Sequence, residues 1–338
     1  MGMASPSHKT RKAAVGPSAP SVRECVAGGR TRRHLTFLTF ARMATHRLVS
    51  LAPRLQRATS SELSSLVDHI ARAKRLLVIT GAGVSTGSGI PDYRSANGSY
   101  SRGHKPMQHA EFVRSEKNRR RYWTRSFVGW RYFSRAEPNA AHVALAELES
   151  YGFVQGGLIT QNVDGLHAEA GMRNVLDLHG RIGLVECLSC GDITPRARLQ
   201  ERLRAANEAW AASIAPLLPG ELRADGDSEI EEADDFVVPS CERCHEGVLK
   251  PNVTFFGGSV PVATVQAAAD AVAHADALLV LGSSMQVFSA FRLARQAARE
   301  GKPIAILNNG PTRADELACL HVAADVCAEL PDVVAALR

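Results

Sequence analysis

Apolar residues repeat with a helical period in the segment that begins near residue 60. Leu63, Leu66, Val67 and Ile70 follow one another at the spacing i, i+3, i+4, i+7, which places them on one face of a helix. Residues 59–62 read Thr-Ser-Ser-Glu, and this spacing of a hydroxyl and a carboxylate is the signature of a capping box. The pattern therefore predicts an amphipathic helix that begins near residue 60.

Short, continuous apolar runs occupy residues 76–80, 157–161, 277–281 and 304–308. Runs of this length, rich in Leu, Val and Ile, are typical of strands that are buried on both faces of a parallel sheet. Helical patterns lie between them, for example at 262–274 and 288–300. Because strands alternate with helices, we expect an α/β fold, a Rossmann-like doubly wound parallel sheet.

The alternation is interrupted between about residues 183 and 256. Within this stretch, two Cys-x-x-Cys pairs, Cys187 with Cys190 and Cys241 with Cys244, bracket 50 residues. Four thiolates at this spacing are the donor set that structural Zn²⁺ prefers, and a closed set of four leaves no position for substrate. The sequence predicts a small inserted zinc-binding lobe, with a redox role for the pairs as the alternative. Residues 221–235 hold eight acids against one Arg and predict a flexible acidic loop within the lobe.

The charge of the chain is unevenly distributed. The 338 residues have a formal net charge of +6 and a pI near 9.1, which would suit a nucleic-acid binder. However, residues 1–57 hold eleven basic side chains and one acid, so the remaining 281 residues are net acidic. We therefore expect neither a nucleic-acid partner nor, since no apolar stretch approaches the length of a membrane span, a membrane partner.

The basic segment 1–57 is rich in Arg, Ser, Thr and Ala, a composition typical of an organelle transit peptide. A basic tail that binds acidic partners is the alternative. Met43 offers a second possible start. The sequence thus predicts a leader over 1–57 and a catalytic domain over 58–338.

A glycine-rich segment follows the first predicted strand directly. Residues 81–94 read GAGVSTGSGIPDYR, and glycines at a strand end let backbone amides approach a pyrophosphate. Many tight turns also contain Gly-x-Gly, so the glycines alone leave an ordinary turn open. The spacing departs from the dehydrogenase fingerprint, which weakens an oxidoreductase interpretation.

Polar side chains follow the second predicted strand, where residues 160–167 read TQNVDGLH. Gln161, Asn162 and Asp164 offer amide and carboxylate groups at the carboxyl end of a strand, where open α/β sheets bind their ligands. A polar turn that caps a helix is the alternative. His179 stands before a glycine and is a candidate general base, since the imidazole pKa lies near neutrality; a surface or core histidine is the alternative.

Small and amide residues stand at later strand ends. These residues would suit contacts to the ribose of an adenosine, although each alone fits an ordinary turn. They are Gly282, Ser283, Ser284, Asn308, Asn309, Gly310 and the late Cys327.

Together these motifs resemble the sirtuin family in order and spacing, from about residue 60 to the end. The family marks are the GAGxSxxSGIPDFR loop, the TQNxDxLH segment, the HG histidine, two CxxC pairs, an FGE-type loop at 256–258, a GSS strand end and a late Asn strand end. The resemblance implies NAD as co-substrate, one structural zinc, and His179 as general base with Asn162 and Asp164 beside the nicotinamide ribose. It also implies that a substrate peptide lies between the loop of Phe256 and Gly257 on one side and Val287 on the other. The NAD-binding residues implied are Gly81, Ala82, Gly83, Ser85, Thr86, Pro91, Asp92, Tyr93, Arg94, Gln161, Asn162, Val163, Asp164, Gly282, Ser283, Ser284, Asn308, Asn309, Gly310 and Cys327.

Residues 106–130, 190–202 and 305–320 are similar to the class II, mitochondrial sirtuin-4 type of this family. That similarity implies a transferase that removes acyl groups from lysine, lipoamidase-like, and yields nicotinamide and O-acyl-ADP-ribose. The alternatives are a protein mono-ADP-ribosyltransferase that uses NAD and, remotely, a nicotinamide-dependent oxidoreductase. Expected partners are acyl-lysine proteins, mitochondrial metabolic enzymes among them, and the expected compartment is the mitochondrial matrix.

Some positions add to this expectation or depart from it. Tyr122 and Arg125 have the YxxR spacing by which a desuccinylating branch grips acidic acyl groups, although a plain amphipathic helix face explains them equally. Gly87 stands where the family has a bulkier residue, which is expected to loosen the cofactor loop. Asn252 and Gly258 replace acids near the peptide site and put efficient deacetylation in doubt.

Overall fold

The computed structural model describes residues 57–214, 221–228 and 235–338. The predicted leader lies outside this part of the chain except for Arg57. The helices are α1 (Ser60–Arg72), α2 (His109–Arg114), α3 (Glu116–Phe133), α4 (Ala140–Ser150), α5 (Leu166–Glu169), α6 (Arg196–Ala206), α7 (Glu208–Ser213), α8 (Val262–His274), α9 (Phe288–Arg299) and α10 (Val326–Leu337). The strands are β1 (Leu76–Thr80), β2 (Leu158–Thr160), β3 (Val175–Asp177), β4 (Gly180–Cys187), β5 (Ile193–Pro195), β6 (Leu249–Val253), β7 (Ala277–Leu281), β8 (Ile304–Leu307) and β9 (Leu320–Val322).

The first helix begins where its sequence predicts. The Thr59 side chain accepts a hydrogen bond from the amide of Glu62, and the Glu62 carboxylate accepts one from the amide of Thr59. This reciprocal pair satisfies two amides that the helix leaves without partners. Leu66 and Ile70 are fully buried on the inner face, which confirms the predicted amphipathic helix.

The main sheet is parallel throughout, and within the described residues its strand order is β3-β2-β1-β7-β8-β9. Alternate residues of β1 enter different cores: Leu76 and Val78 pack into one hydrophobic cluster, and Leu77 and Ile79 into the other. Helices therefore cover both faces, which confirms the doubly wound sheet. The chain runs from β1 outward to β2 and β3, then returns to β7 on the other side of β1. Ligands bind at such a reversal of strand order, beyond the carboxyl ends of the strands.

A smaller antiparallel sheet of order β5-β4-β6 forms the inserted lobe. Its core is a third hydrophobic cluster, in which Trp123 and Phe127 of α3 pack with Leu199 and Leu203 of α6. The cluster also contains Cys187 and Cys241, so the cysteine pairs and the lobe's core are one structure. Among the described residues, no helix is both long and apolar enough to cross a membrane.

The prediction of a flexible acidic loop at 221–235 is wrong for the part that the structure describes. Residues 221–228 pack tightly against α3, and the side chains of Arg223 and Asp227 are buried. The contact is so close that a Cβ on Gly129 would lie 2.1 Å from the carbonyl oxygen of Gly226. Asp225 pairs with His104 and Asp227 with Arg125, so these acids do not need contact with solvent. Residues 229–234 lie outside the described part.

Candidate active site

A cleft of about 1060 Å³ lies along the carboxyl edge of the main sheet. Its walls come from the segments that follow β1, β2, β7 and β8, together with the ends of β4 and β6. This volume is slightly above the range of ordinary ligand pockets, so the cleft has room for a large ligand. The strand reversal at β1 and β7 opens into this cleft.

The glycine-rich loop is packed too closely to tolerate side chains. The amide of Gly83 donates to the carbonyl of Gly282 at 2.8 Å, and a Cβ on Gly83 would lie 2.8 Å from the same oxygen. A Cβ on Gly81 would lie 2.7 Å from the Cβ of Ser283. The loop after β1 is thus locked to the end of β7, and its backbone faces the cleft, which is the cradle that a pyrophosphate requires.

The glycine at position 87 does not loosen this loop. A Cβ there would lie 3.0 Å from the Sγ of Cys327 and 3.2 Å from the Nδ2 of Asn139. Asn139, at the start of α4, donates from Nδ2 to the carbonyl of Val84 at 2.8 Å and to the hydroxyl of Ser88 at 3.0 Å. Asn139 therefore fixes the loop from behind, and Gly87 makes room for that contact.

Asn162, Asp164 and Ser85 form one polar network beneath the loop. The Ser85 hydroxyl donates to the Asp164 carboxylate at 2.7 Å, and the Asn162 amide donates to the Ser85 oxygen at 2.9 Å. Burial raises the pKa of Asp164. Asn162 lines the cleft, whereas Ser85 and Asp164 lie behind it. The geometry thus makes Asp164 a support for Asn162 through Ser85.

His179, at the entrance of β4, presents one ring nitrogen to the cleft. Its Nδ1 lies 2.9 Å from the carbonyl oxygen of Gln161, and its Nε2 lies 2.8 Å from the hydroxyl of Ser289. A carbonyl oxygen only accepts, so Nδ1 carries the proton and the electron pair of Nε2 faces the Ser289 hydroxyl. Burial lowers the pKa of His179, which keeps the ring neutral near pH 7. A neutral imidazole whose unprotonated nitrogen contacts a hydroxyl is equipped to act as a general base when a substrate hydroxyl takes that place.

Aromatic and glycine residues form the mouth of the cleft. Phe256 stacks edge-on against Tyr93, with ring centroids 6.2 Å apart. Gly257 has a φ of 73°, a left-handed conformation that favours glycine. Phe256, Gly257 and Val287, the three residues predicted to contact a substrate peptide, all line the cleft.

Beside Tyr122 of α3, the lining of the cleft combines apolar side chains with two acids. Met107, Tyr122, Ile182, Val253 and Phe255 line the cleft, and so do Asp225 and Asp227 of the folded loop. Asp225 pairs with His104 at 3.1 Å. Sequence reasoning missed both acids, because their composition alone indicates a solvated loop.

The arginine of the YxxR pair does not line this part of the cleft. Its Nε lies 3.0 Å from the Asp227 carboxylate and donates to the carbonyl of Ser228 at 2.7 Å. Burial and the nearby Asp225 raise the pKa of Asp227 to about 6, against the effect of Arg125. Arg125 is therefore neutralised by the loop, and only Tyr122 of the pair faces the cleft.

The structure brings most of the predicted NAD-binding residues into one cleft. Those that line it are Gly81, Ala82, Gly83, Thr86, Asp92, Tyr93, Arg94, Gln161, Asn162, Val163, Gly282, Ser283, Ser284, Asn308, Asn309 and Gly310. Pro91 does not line it, and neither does Cys327. The Cys327 thiol lies 3.5 Å from the carbonyl oxygen of Val84, so its side chain supports the glycine loop from behind. Its neighbours Asp325 and Val326 line the cleft in its place.

The four cysteines gather at one corner of the small sheet. Cys187 and Cys244 have sulfur atoms 3.7 Å apart, and those of Cys190 and Cys241 are 3.8 Å apart. Tetrahedral zinc with Zn–S bonds of about 2.3 Å requires sulfur separations of about 3.8 Å. The quartet therefore fits a structural zinc ion held entirely by protein ligands.

Comparisons with known proteins agree with this site. The Sir2 family profile matches residues 81–289. NAD-dependent protein deacetylase 2 of Bradyrhizobium diazoefficiens is 51% identical over 260 residues, covering 76% of this chain and 92% of its own. The human NAD-dependent protein lipoamidase sirtuin-4, mitochondrial, is 49% identical over 265 residues, covering 77% and 82%. A solved structure described as the basis for the mechanism and regulation of Sir2 enzymes superposes with a TM-score of 0.65 at 31% identity, covering 83% of this chain and 100% of that one. This chain therefore belongs to the sirtuin family of NAD-dependent protein deacylases.

Proposed function

We propose that this protein removes neutral, long acyl groups from protein lysines, in the manner of a lipoamidase, and that His179 is its general base. The observation that carries the chemistry is the neutral His179 ring, whose Nε2 faces the cleft that also holds the glycine loop. When bound, NAD supplies an electrophilic ribose carbon and nicotinamide as its leaving group. The amides of the glycine loop would hold its pyrophosphate.

The residues of the chain have separable tasks in this proposal. Nε2 of His179 takes the proton from a ribose hydroxyl, while Nδ1 stays hydrogen-bonded to the carbonyl of Gln161. That bond orients the ring and stabilises the imidazolium that forms. Asn162, held by Ser85 and Asp164, positions the ribose and excludes water from the reacting carbon.

The end of the cleft beside α3 supports a neutral acyl group. Met107, Ile182 and Phe255 line the cleft and suit an aliphatic chain. The lining also includes the carboxylates of Asp225 and Asp227, whereas Arg125 does not line the cleft and is paired with Asp227. An acidic acyl group would place its carboxylate near Asp225 and Asp227, where like charges repel. The name of the human relative, a lipoamidase, supports the same substrate class.

The decisive experiment offers wild-type protein a panel of acyl-lysine peptides with NAD and reads the products by mass spectrometry. We expect lipoyl and hexanoyl peptides to lose their acyl group with stoichiometric release of nicotinamide. We expect kcat/KM for a succinyl peptide to be at least about tenfold lower, a difference that needs only ~1.4 kcal/mol of repulsion. Preferred cleavage of the succinyl peptide would refute the substrate class. NAD label that accumulates on protein would favour ADP-ribosyl transfer instead.

The substitution Asp227→Asn directly tests the acidic wall, the part of the cleft lining formed by Asp225 and Asp227. We expect this change to free Arg125 and to raise the succinyl-to-lipoyl ratio of kcat/KM about tenfold. Both peptides compete in one reaction, so the ratio does not depend on how much of the variant folds. The double variant Asp227→Asn with Arg125→Gln should lose the gain, and Asp68→Asn, which removes the partner of an exposed ion pair on α1, should leave the ratio unchanged. A ratio unaffected by Asp227→Asn would contradict the role of the wall.

We also propose that residues 1–57 are a mitochondrial leader and that the protein acts in the matrix on acylated metabolic enzymes. The support is the basic, acid-poor composition of this segment and the mitochondrial relative. Without the leader the protein is net acidic, so the imported form should focus below neutrality, whereas the full chain has a pI near 9.1. Isoelectric focusing of the protein isolated from mitochondria tests this, and a basic focusing point would argue against cleavage.

A further inference from the structure

Ser289 is the polar side chain that contacts Nε2 of His179. It lies in the first turn of α9, lines the cleft, and places its Oγ 2.8 Å from that nitrogen. Because Nδ1 of His179 donates to the carbonyl of Gln161, Nε2 can only accept. The Ser289 hydroxyl is therefore the donor in this contact.

The turn between β7 and α9 fixes the position of Ser289. Met285 is fully buried with a φ of 52°, a left-handed conformation that non-glycine residues adopt only when their surroundings enforce it. Its amide donates to the Ser283 hydroxyl at 3.2 Å. The amide of Arg313 donates to the carbonyl of Ser284 at 2.9 Å. These bonds hold the start of α9, and with it Ser289, at a defined distance from β4.

The hydroxyl of Ser289 can serve His179 in both of its protonation states. Before proton transfer it donates to the electron pair of Nε2. After transfer it can accept from the Nε2–H of the imidazolium, because a hydroxyl is both donor and acceptor. Such a bond to a charged group is the stronger of the two, and it would compensate the burial that disfavours the cation.

We infer that Ser289 is a positioning residue for His179, which holds the imidazole ring with Nε2 toward the cleft until a substrate hydroxyl replaces it. Without Ser289, the imidazole ring would keep its hydrogen bond to the carbonyl of Gln161 but would lose the one at Nε2. The ring could then rotate more freely. This role rests on the proposed function of His179, but the contact itself exists in the free protein. It can therefore be tested with and without turnover.

The test without turnover is nitrogen NMR of protein labelled at histidine, with His179→Gln used to assign the ring. In Ser289→Ala we expect the Nε2 resonance of His179 to move toward the position of an acceptor without a hydrogen bond. In Ser289→Thr, which keeps the hydroxyl, the Nε2 resonance should lie at its wild-type position. An unchanged resonance in Ser289→Ala would overturn the proposal, whatever the enzyme does.

The test with turnover separates kcat from KM on a lipoyl peptide and NAD. We expect Ser289→Ala to lower kcat about tenfold with both KM values within about twofold, and Ser289→Thr to recover most of the loss. Ser65→Ala, at an exposed hydroxyl on α1, is the matched control and should behave as wild type. A Ser289→Ala variant with wild-type kcat, or a threonine variant as slow as alanine, would refute the role. If the resonance moves but even wild type removes no acyl group, the proposed function fails and the contact stands.

Discussion

His179→Tyr is expected to abolish NAD-dependent deacylation, with kcat lower by a factor of about 10²–10⁴, the range that a general base contributes. In the wild-type protein Nδ1 is committed to the carbonyl of Gln161, and Nε2 supplies the electron pair. A phenol has no comparable base near neutral pH, because its pKa lies near 10. The measurement is nicotinamide release with a lipoyl peptide under saturating NAD.

Two controls separate lost chemistry from lost fold. His274→Tyr makes the same change on the exposed end of α8, where the ring only contacts the carbonyl of Asp270, and should retain wild-type turnover. His179→Gln keeps a polar group of similar size and should be as inactive as tyrosine while its melting temperature stays close to that of wild type. Full deacylation by either variant of His179 would remove that residue from the mechanism.

The strands and their polar ends were predictable because their signals are local. An apolar run such as Leu76–Thr80 can be buried on both faces only inside a sheet, and the residue after it must lie at the sheet's edge. The same logic placed Gly83 and Gly282, 199 positions apart in the sequence, at strand ends that bind one ligand. In the structure their backbones are hydrogen-bonded.

The parts that could not be predicted depend on contacts between distant segments. Ser289 stands 110 positions from His179, and one serine in the first turn of a helix carries no local signal. Residues 221–228 read as a solvated loop because acids usually remain in water. Their partners His104 and Arg125 lie more than 100 positions earlier, and pairing with them makes burial possible. The composition of a segment gives its own charge, but it does not show which charged residues from elsewhere in the chain pack against it.

The zinc site links the small lobe to the same cleft. Cys187 ends β4, whose first residue follows His179 directly, and β6 leads into Phe255 and Phe256, which line the cleft. The ion would therefore fix the relative positions of two cleft walls without reaching the cleft. The site has a complete set of four protein ligands, so no coordination position remains for substrate.

Loss of this ion is expected to unfold the lobe. Cys187 and Cys241 are buried in the third hydrophobic cluster, and a Cβ on Gly247 would lie 2.1 Å from the Sγ of Cys187, so nothing larger fits there. Structural zinc contributes about 10–16 kcal/mol in small zinc domains, as much as the whole stability of a typical domain, about 5–15 kcal/mol. We expect Cys241→Ser to bind less than one zinc per chain, to melt at a markedly lower temperature and to lose deacylation.

Cys319→Ser, at an exposed thiol, is the matched control and should keep its zinc, its melting temperature and its turnover. Zinc content by mass spectrometry and melting followed by circular dichroism provide the measurements. Replacement of zinc by Co²⁺ then separates a structural role of the metal from a chemical one. Four thiolate ligands should give a tetrahedral cobalt spectrum, and kcat should stay within about twofold of the zinc protein. The reason is that an ion enclosed by four sulfur atoms can support the cleft but cannot contact the reacting atoms. A cobalt protein that folds normally but reacts much more slowly would place the metal in the reaction instead.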